Sequence, residues 1–160
     1  MTDKPLFHDD LFACYPDLIE RLKSLVENKT VKIIKEADDI GDLVGDNPNK
    51  LPLDEAIYVI FDSIVPTNSN ANGTEQVHQI AFSLVYTVKK YNFRGLSGMS
   101  VGRVLARISQ LLNGYEPVQD GKALTFSPFI QINPLPVRYQ NGFGYFSLRF
   151  ATTVASCADL

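Results

Sequence analysis

Cysteine, histidine, net charge and long apolar runs are all scarce in this sequence, and each shortage excludes a class of function. The two cysteines, Cys14 and Cys157, stand near opposite ends and form no CxxC pair. Two isolated thiols point to a reducing compartment. Only two histidines are present. The "HDD" stretch (His8, Asp9, Asp10) is therefore short of ligands for a metal or phosphohydrolase centre, because His78 is the one further imidazole on offer. Acidity at the start of a helix is the better account of it. A formal net charge of −3 gives no bulk attraction to nucleic acid. The opening "MTDKPLFHDDLF" has no apolar core of signal-peptide length, and no window approaches a membrane span. A protein made and folded in a cytoplasm is expected.

What remains is enough for a core. With 160 residues, 45% of them hydrophobic, the chain reads as one domain over residues 1–160. Residues 1–10 and 155–160 are expected to be flexible ends.

Periodicity orders the elements. In "YPDLIERLKSLVENK" (residues 15–29), Leu18, Ile19, Leu22, Leu25 and Val26 share one helical face, and Asp17 can accept first-turn N–H groups. "TVKIIKEA" (30–37) reads as a short strand, and the acidic, turn-rich "DDIGDLVGDNPNKLPLDE" as a loop. "AIYVIFDSIV" (56–65) is a strand by β-branched and aromatic content. "PTNSNANGTE" (66–75) is polar and reads as an exposed, mobile loop. In the strand 76–91, Ile80, Phe82, Leu84, Tyr86 and Val88 share one face, with Ser83, Thr87 and Lys89 on a more polar one. Val101, Val104, Leu105, Ile108, Leu111 and Leu112 then repeat at helical spacing up to Gly114, which is placed to end the helix in the left-handed conformation. "ALTFSPFIQINPLPVRY" is strand-like but cut by Pro128, Pro134 and Pro136, so it belongs at an edge. Asn141-Gly142 is a turn signal before the alternating "YFSLRFATTV" (145–154). The expected fold is α+β, a mostly antiparallel sheet of four to five strands. Two main helices pack on one face, and a long β-hairpin protrudes beyond the core. Leu105 and Ile108 are expected to face the sheet, and Ser83 to lie on the face that meets solvent.

No stretch carries chemistry. "RGLSGMSVGRVLARI" (94–108) follows a strand and opens a helix, the order of a phosphate loop. Yet Gly102 is followed by Arg103 and Val104 instead of a lysine and a hydroxyl residue, and the spacing of Gly95, Gly98 and Gly102 misses the dinucleotide pattern. Ser97 or Ser100 as an N-cap accounts for it. The loop with Asp38, Asp39, Asp42 and Asp46 reaches Asn49 where a calcium loop needs a glutamate. There is no G-x-S-x-G elbow, and Cys14 has only His8 nearby in sequence. Lys89, Lys90 and Arg94 among aromatics read as a solvated strand end. No enzyme activity, metal or cofactor is expected.

The layout is the informative feature. The "HDDLF" opening, the strand after "LP", the long strand with Q-x-x-x-x-x-L-x-Y, "LNGYEP", and the aromatic last strand "FGYFSLRFATT" follow in that order. Over residues 8–153 the chain resembles the phage tail terminator (tail completion) family, including its Mu-like prophage group. The resemblance implies a small α+β subunit that forms a homo-oligomeric ring, usually a hexamer, on the end of the tail tube. Such a ring ends polymerisation, offers a surface to the head-completion or neck protein, and lets DNA pass its lumen without specific binding. It implies a virion tail protein assembled in the host bacterial cytoplasm, with no membrane partner. On this reading Phe93, Leu96 and Met99, on the turn before the second helix, either tuck under that helix or meet a neighbouring subunit. Asn70 and Asn72, in the 66–75 loop, are candidate contacts too, and that loop is expected to be dispensable for folding but not for assembly. Alternatives are another neck or baseplate subunit of similar fold, a monomeric binding module, or a small nucleotide-binding protein.

Overall fold

A computed structural model describes residues 5–43, 52–70, 72–89 and 100–158. A 3-10 turn (Leu6–His8) leads into helix α1 (Tyr15–Glu27), which carries Pro16 in its first turn, where a missing N–H costs nothing. Leu18, Leu22 and Leu25 form its buried row. Lys29 takes a positive φ of 63° to turn the chain out of the helix. Strand β1 (Ile33–Glu36) follows. Then come β2 (Ala56–Ser69) and β3 (Glu75–Lys89). Helix α2 (Val101–Leu112) begins at Ser100, whose Oγ accepts from the Arg103 N–H at 3.4 Å. A separate two-stranded hairpin, β4 (Val118–Gln119) and β5 (Lys122–Ala123), precedes β6 (Ile130–Ile132), β7 (Arg138–Gln140) and β8 (Phe143–Cys157).

The main sheet runs β1-β2-β3-β8-β6, with β7 also on β8. Every pairing in it is antiparallel except β1 with β2. It has six strands instead of four to five, because the proline-cut run yields two short edge pieces, β6 and β7. The Asn141-Gly142 turn has φ values of 52° and 80°, the two-residue geometry that matches strand twist. Gly114 has φ 83°, as expected, and its N–H donates to the Phe129 carbonyl at 2.7 Å.

One face of the sheet meets both helices. Ile80, Phe82, Leu84, Tyr86 and Val88 of β3 pack there with Leu18 and Leu22 of α1, Val104, Ile108 and Leu112 of α2, and Leu148, Phe150 and Val154 of β8. Leu105 is only partly buried, because the buried row of α2 steps through Val104, Ile108 and Leu112 and leaves Leu105 on its flank.

Four expectations are corrected. The second face of the sheet is not a solvent face. Leu43, Ala56, Tyr58, Ile60, Val85 and Tyr145 build a smaller core on it, and Ser83 and Thr87 are fully buried beside them. Their hydroxyls are satisfied within the protein, Ser83 by Asp62 and Thr87 by the Leu53 carbonyl, which is what permits burial. The stretch 66–75 is not a free loop: Pro66, Asn68 and Ser69 pair with His78, Val77 and Gln76, and the connecting turn begins only at Asn70. Nor is the extension a lone hairpin, since β8 follows β3 all the way from Lys89↔Phe143 to Glu75↔Cys157. The same ladder corrects the expected flexible ends. Ala155, Ser156 and Cys157 are strand residues, and Phe7 is buried in the helix-face core.

Candidate assembly surface

Strand β2 outruns its outer neighbour. β1 covers only Ala56 to Val59, so from Ile60 to Ser69 β2 has β3 on one side and, among the described residues, no strand on the other. Two irregularities, at Phe61/Ser63 and Pro66/Asn68, bend this edge. Pro66 is tolerated there because an edge strand can spare an N–H. Phe61, Ile64 and Val65 are exposed on it, Val65 at 48%, and Phe12 stands against Phe61 at 4.8 Å between ring centroids. Asn70 organises the turn at its end. Its Oδ1 accepts from the N–H groups of Thr74 at 2.8 Å and Glu75 at 3.3 Å, and its Nδ2 donates to Thr74 Oγ1 at 2.7 Å.

Behind this edge, the second face of the sheet carries a polar tie across three strands. Arg149 of β8 holds Asp62 of β2 through Nε–Oδ2 and Nη2–Oδ1 contacts of 3.0 Å each. Ser83 of β3 donates to the same Oδ2 at 2.5 Å. A cavity of about 280 Å³ lies over this tie, lined also by Asp39, Ile40, Ile60 and Leu135. A smaller one of about 160 Å³ adjoins it, over Tyr145 and Ser147. With one charge pair already satisfied inside, the tie fixes strand positions and offers no free charge to a ligand.

The opposite edge of the sheet is built differently. β6 and β7 each cover three residues of β8. Between them runs "NPLPV", held extended by Pro134 and Pro136. Among the described residues, its backbone makes no hydrogen bond. Ile130, Leu135 and Val137 are exposed there, the first and last at 53% and 50%. Both edges coincide with uncharged runs, residues 63–74 and 124–137, which hold no Asp, Glu, Lys or Arg. That pattern is legible in the sequence once edge strands are expected, since depletion of charge marks the centre of interfaces.

Of the contact candidates named from the sequence, Phe93, Leu96 and Met99 lie outside the described residues, as do Ser97, the Lys90–Arg94 basic run and Asp46. Asn72 is exposed in the tip turn, whereas Asn70 has a structural part there. Asp17 caps no first-turn N–H; its carboxylate accepts the Tyr115 hydroxyl, and Arg21 lies 3.8 Å over the Tyr115 ring, tying α1 to the segment after α2. Burial, reinforced by the Asp17 hydrogen bond, pushes the Tyr115 phenol up to about 12. Tyr15, bonded to Glu36, is likewise raised, chiefly by burial. Both cysteines are free thiols, Cys14 buried and Cys157 exposed. The Cys157 Sγ lies 3.7 Å from His8 Nε2 and 3.9 Å from Glu75 Oε2. Among the described residues, no group of three His, Cys, Asp or Glu side chains has a geometry for holding a metal ion. No described helix is long and apolar enough to cross a membrane.

A family model described as phage tail terminator protein matches residues 8–156. No curated protein matches the chain.

Proposed function

From its membership of the phage tail terminator family, to which this chain belongs, we propose that this tail protein caps the tail tube as a ring. It stops tube polymerisation and presents the joining surface for the head-side neck protein. The observation that carries the ring reading is the pair of unlike apolar edges on one sheet, at β2 and at β6–β7, each centred on a run without charged residues (63–74 and 124–137). A surface that repeats on every copy and meets a different surface on the next generates a closed ring when the rotation closes. The role is structural and not enzymatic, with DNA passing the lumen without specific contacts. A ring of six is the expectation that the family likeness brings.

The test uses tails. In lysates lacking this chain, tubes should grow beyond their normal length and fail to join heads. Adding the purified protein should place a ring at the tube end by electron microscopy and restore length. A chain that stays monomeric and neither caps nor binds purified tubes overturns the reading.

A further inference from the structure

The β2 edge and the "NPLPV" segment are two halves of one strand pairing that a single copy cannot make. They lie at opposite edges of the same sheet, with β3 and β8 between them. We infer that residues 60–69 of one copy take residues 133–137 of the next copy as an added strand, closing the ring head to tail. This rests on the ring reading above and names its contact.

Four observations carry it. Along residues 60–69 the outward backbone groups of β2 have no strand neighbour among the described residues. An unpaired edge is a template for another strand. The donor pattern of the second segment fits. Pro134 and Pro136 have no N–H, and in an extended chain the remaining donors, on Asn133, Leu135 and Val137, share one side. A segment with three donors on one side and none on the other pairs with one neighbour only, as a ring contact requires. Charge agrees as well: residues 63–69 and 133–137 carry no ionised side chain, and the one ion of the wider edge, Asp62, is already paired with Arg149, so docking buries no unpaired charge. Finally, the five residues of the segment extend over about 17 Å, so the pairing fits wholly within the ten-residue open stretch of β2 and forms the middle of the contact. Ile64 and Val65 on one side and Ile130, Leu135 and Val137 on the other supply its apolar centre.

Two full-length variants test it, each damaging one half. Val65→Lys puts a charge on the β2 edge, and Leu135→Pro removes the central donor of the segment while keeping it extended. Thermal midpoints within about 2 °C of the parent confirm that each folds, as surface changes should allow. On purified tail tubes the parent forms rings and each variant alone does not. Mixing the two in solution should give a one-to-one heterodimer and no larger species by native mass spectrometry. The Leu135→Pro copy retains a sound β2 edge and the Val65→Lys copy a sound segment, so one contact forms and the ring stays open. Rings from either variant alone, or a mixture that stays monomeric, overturn this contact while leaving the ring reading intact if the parent still rings. Absence of rings from the parent overturns both.

Discussion

The Ser83 hydroxyl donates to the Asp62 carboxylate at 2.5 Å, joining β3 to β2 on the sheet face opposite the helices. Arg149 completes the tie from β8. Because Ser83 is 1% exposed and bonded to an ion, Ser83→Ala is expected to cost about 1–3 kcal/mol, the range for losing a buried hydrogen bond to a charged group. Urea unfolding would measure it. A cost below a few tenths would show that the tie does not contribute to stability.

The helix-face core gives a paired contrast on α2. Ile108 is fully buried, and Ile108→Ala should cost about 2–5 kcal/mol. Leu105, on the flank, should cost less, under about 2 kcal/mol, because part of its surface already meets water. Equal costs would mean that the helix is rotated about its axis.

The two thiols should separate by access. A thiol reagent added to the native protein should titrate Cys157 at once and leave Cys14, and denaturant should then release the second equivalent. Burial pushes the Cys14 thiol up to about 12, so raising the pH modestly should not expose a thiolate there. Two fast equivalents in the native state would contradict the packing of α1.

Alkali should unfold the protein through its phenols. Tyr115 ionises near 10 when unfolded and near 12 when folded. Its folded value is the higher one, so its contribution to stability is complete below about pH 10 and is lost as pH rises through about 12. Tyr15 acts in the same direction. Ultraviolet titration of tyrosine alongside circular dichroism should show phenol ionisation and unfolding moving together above pH 10. Tyr115→Phe, which has no phenol to ionise, should move part of that loss to higher pH. No change in the alkaline midpoint would remove Tyr115 from the account.

The tip of the β2–β3 hairpin should tolerate shortening but not excision. Replacing residues 70–74 by Asn-Gly preserves the ladder and should leave the fold intact. Deleting residues 66–75 removes paired strand, including Pro66↔His78 and Asn68↔Val77, and should lower the thermal midpoint clearly. Equal stability of the two deletions would restore the view of 66–75 as a spare loop.

Where the sequence read true, one periodicity dominated. Both helices follow from apolar residues at three and four spacing, and the helix-facing row of β3 from strict alternation. The candidate surface was harder to read for a physical reason. Residues 66–69 of β2 are polar because an edge strand exposed on its outer side has nothing to bury, so their composition is that of a loop. Ser83 and Thr87 read as solvent-facing because the residues that cover them, Leu43 and Tyr58 among others, come from a turn-rich loop and a neighbouring strand. β6 and β7 are three residues each, too short for alternation to register. The resemblance carried the family, while the two edges became visible only with the strand order.

The fifteen residues of β8 sit in the middle of the sheet although they are the last of its strands to be synthesised. On a ribosome, everything up to residue 142 emerges as an incomplete structure. Two helices and a hairpin would wait with the apolar side chains of β3 lacking Leu148, Phe150 and Val154. Closure therefore comes late, over a long span of chain, and is slow by the same logic. Until β8 arrives, β3 is open along one whole side and β2 along its outer half. A nascent copy is thus most exposed to strand-mediated aggregation just before it is finished. Among the described residues the outer half of β2 has no strand neighbour even after β8 arrives, so the same backbone groups are open during synthesis and in the folded chain.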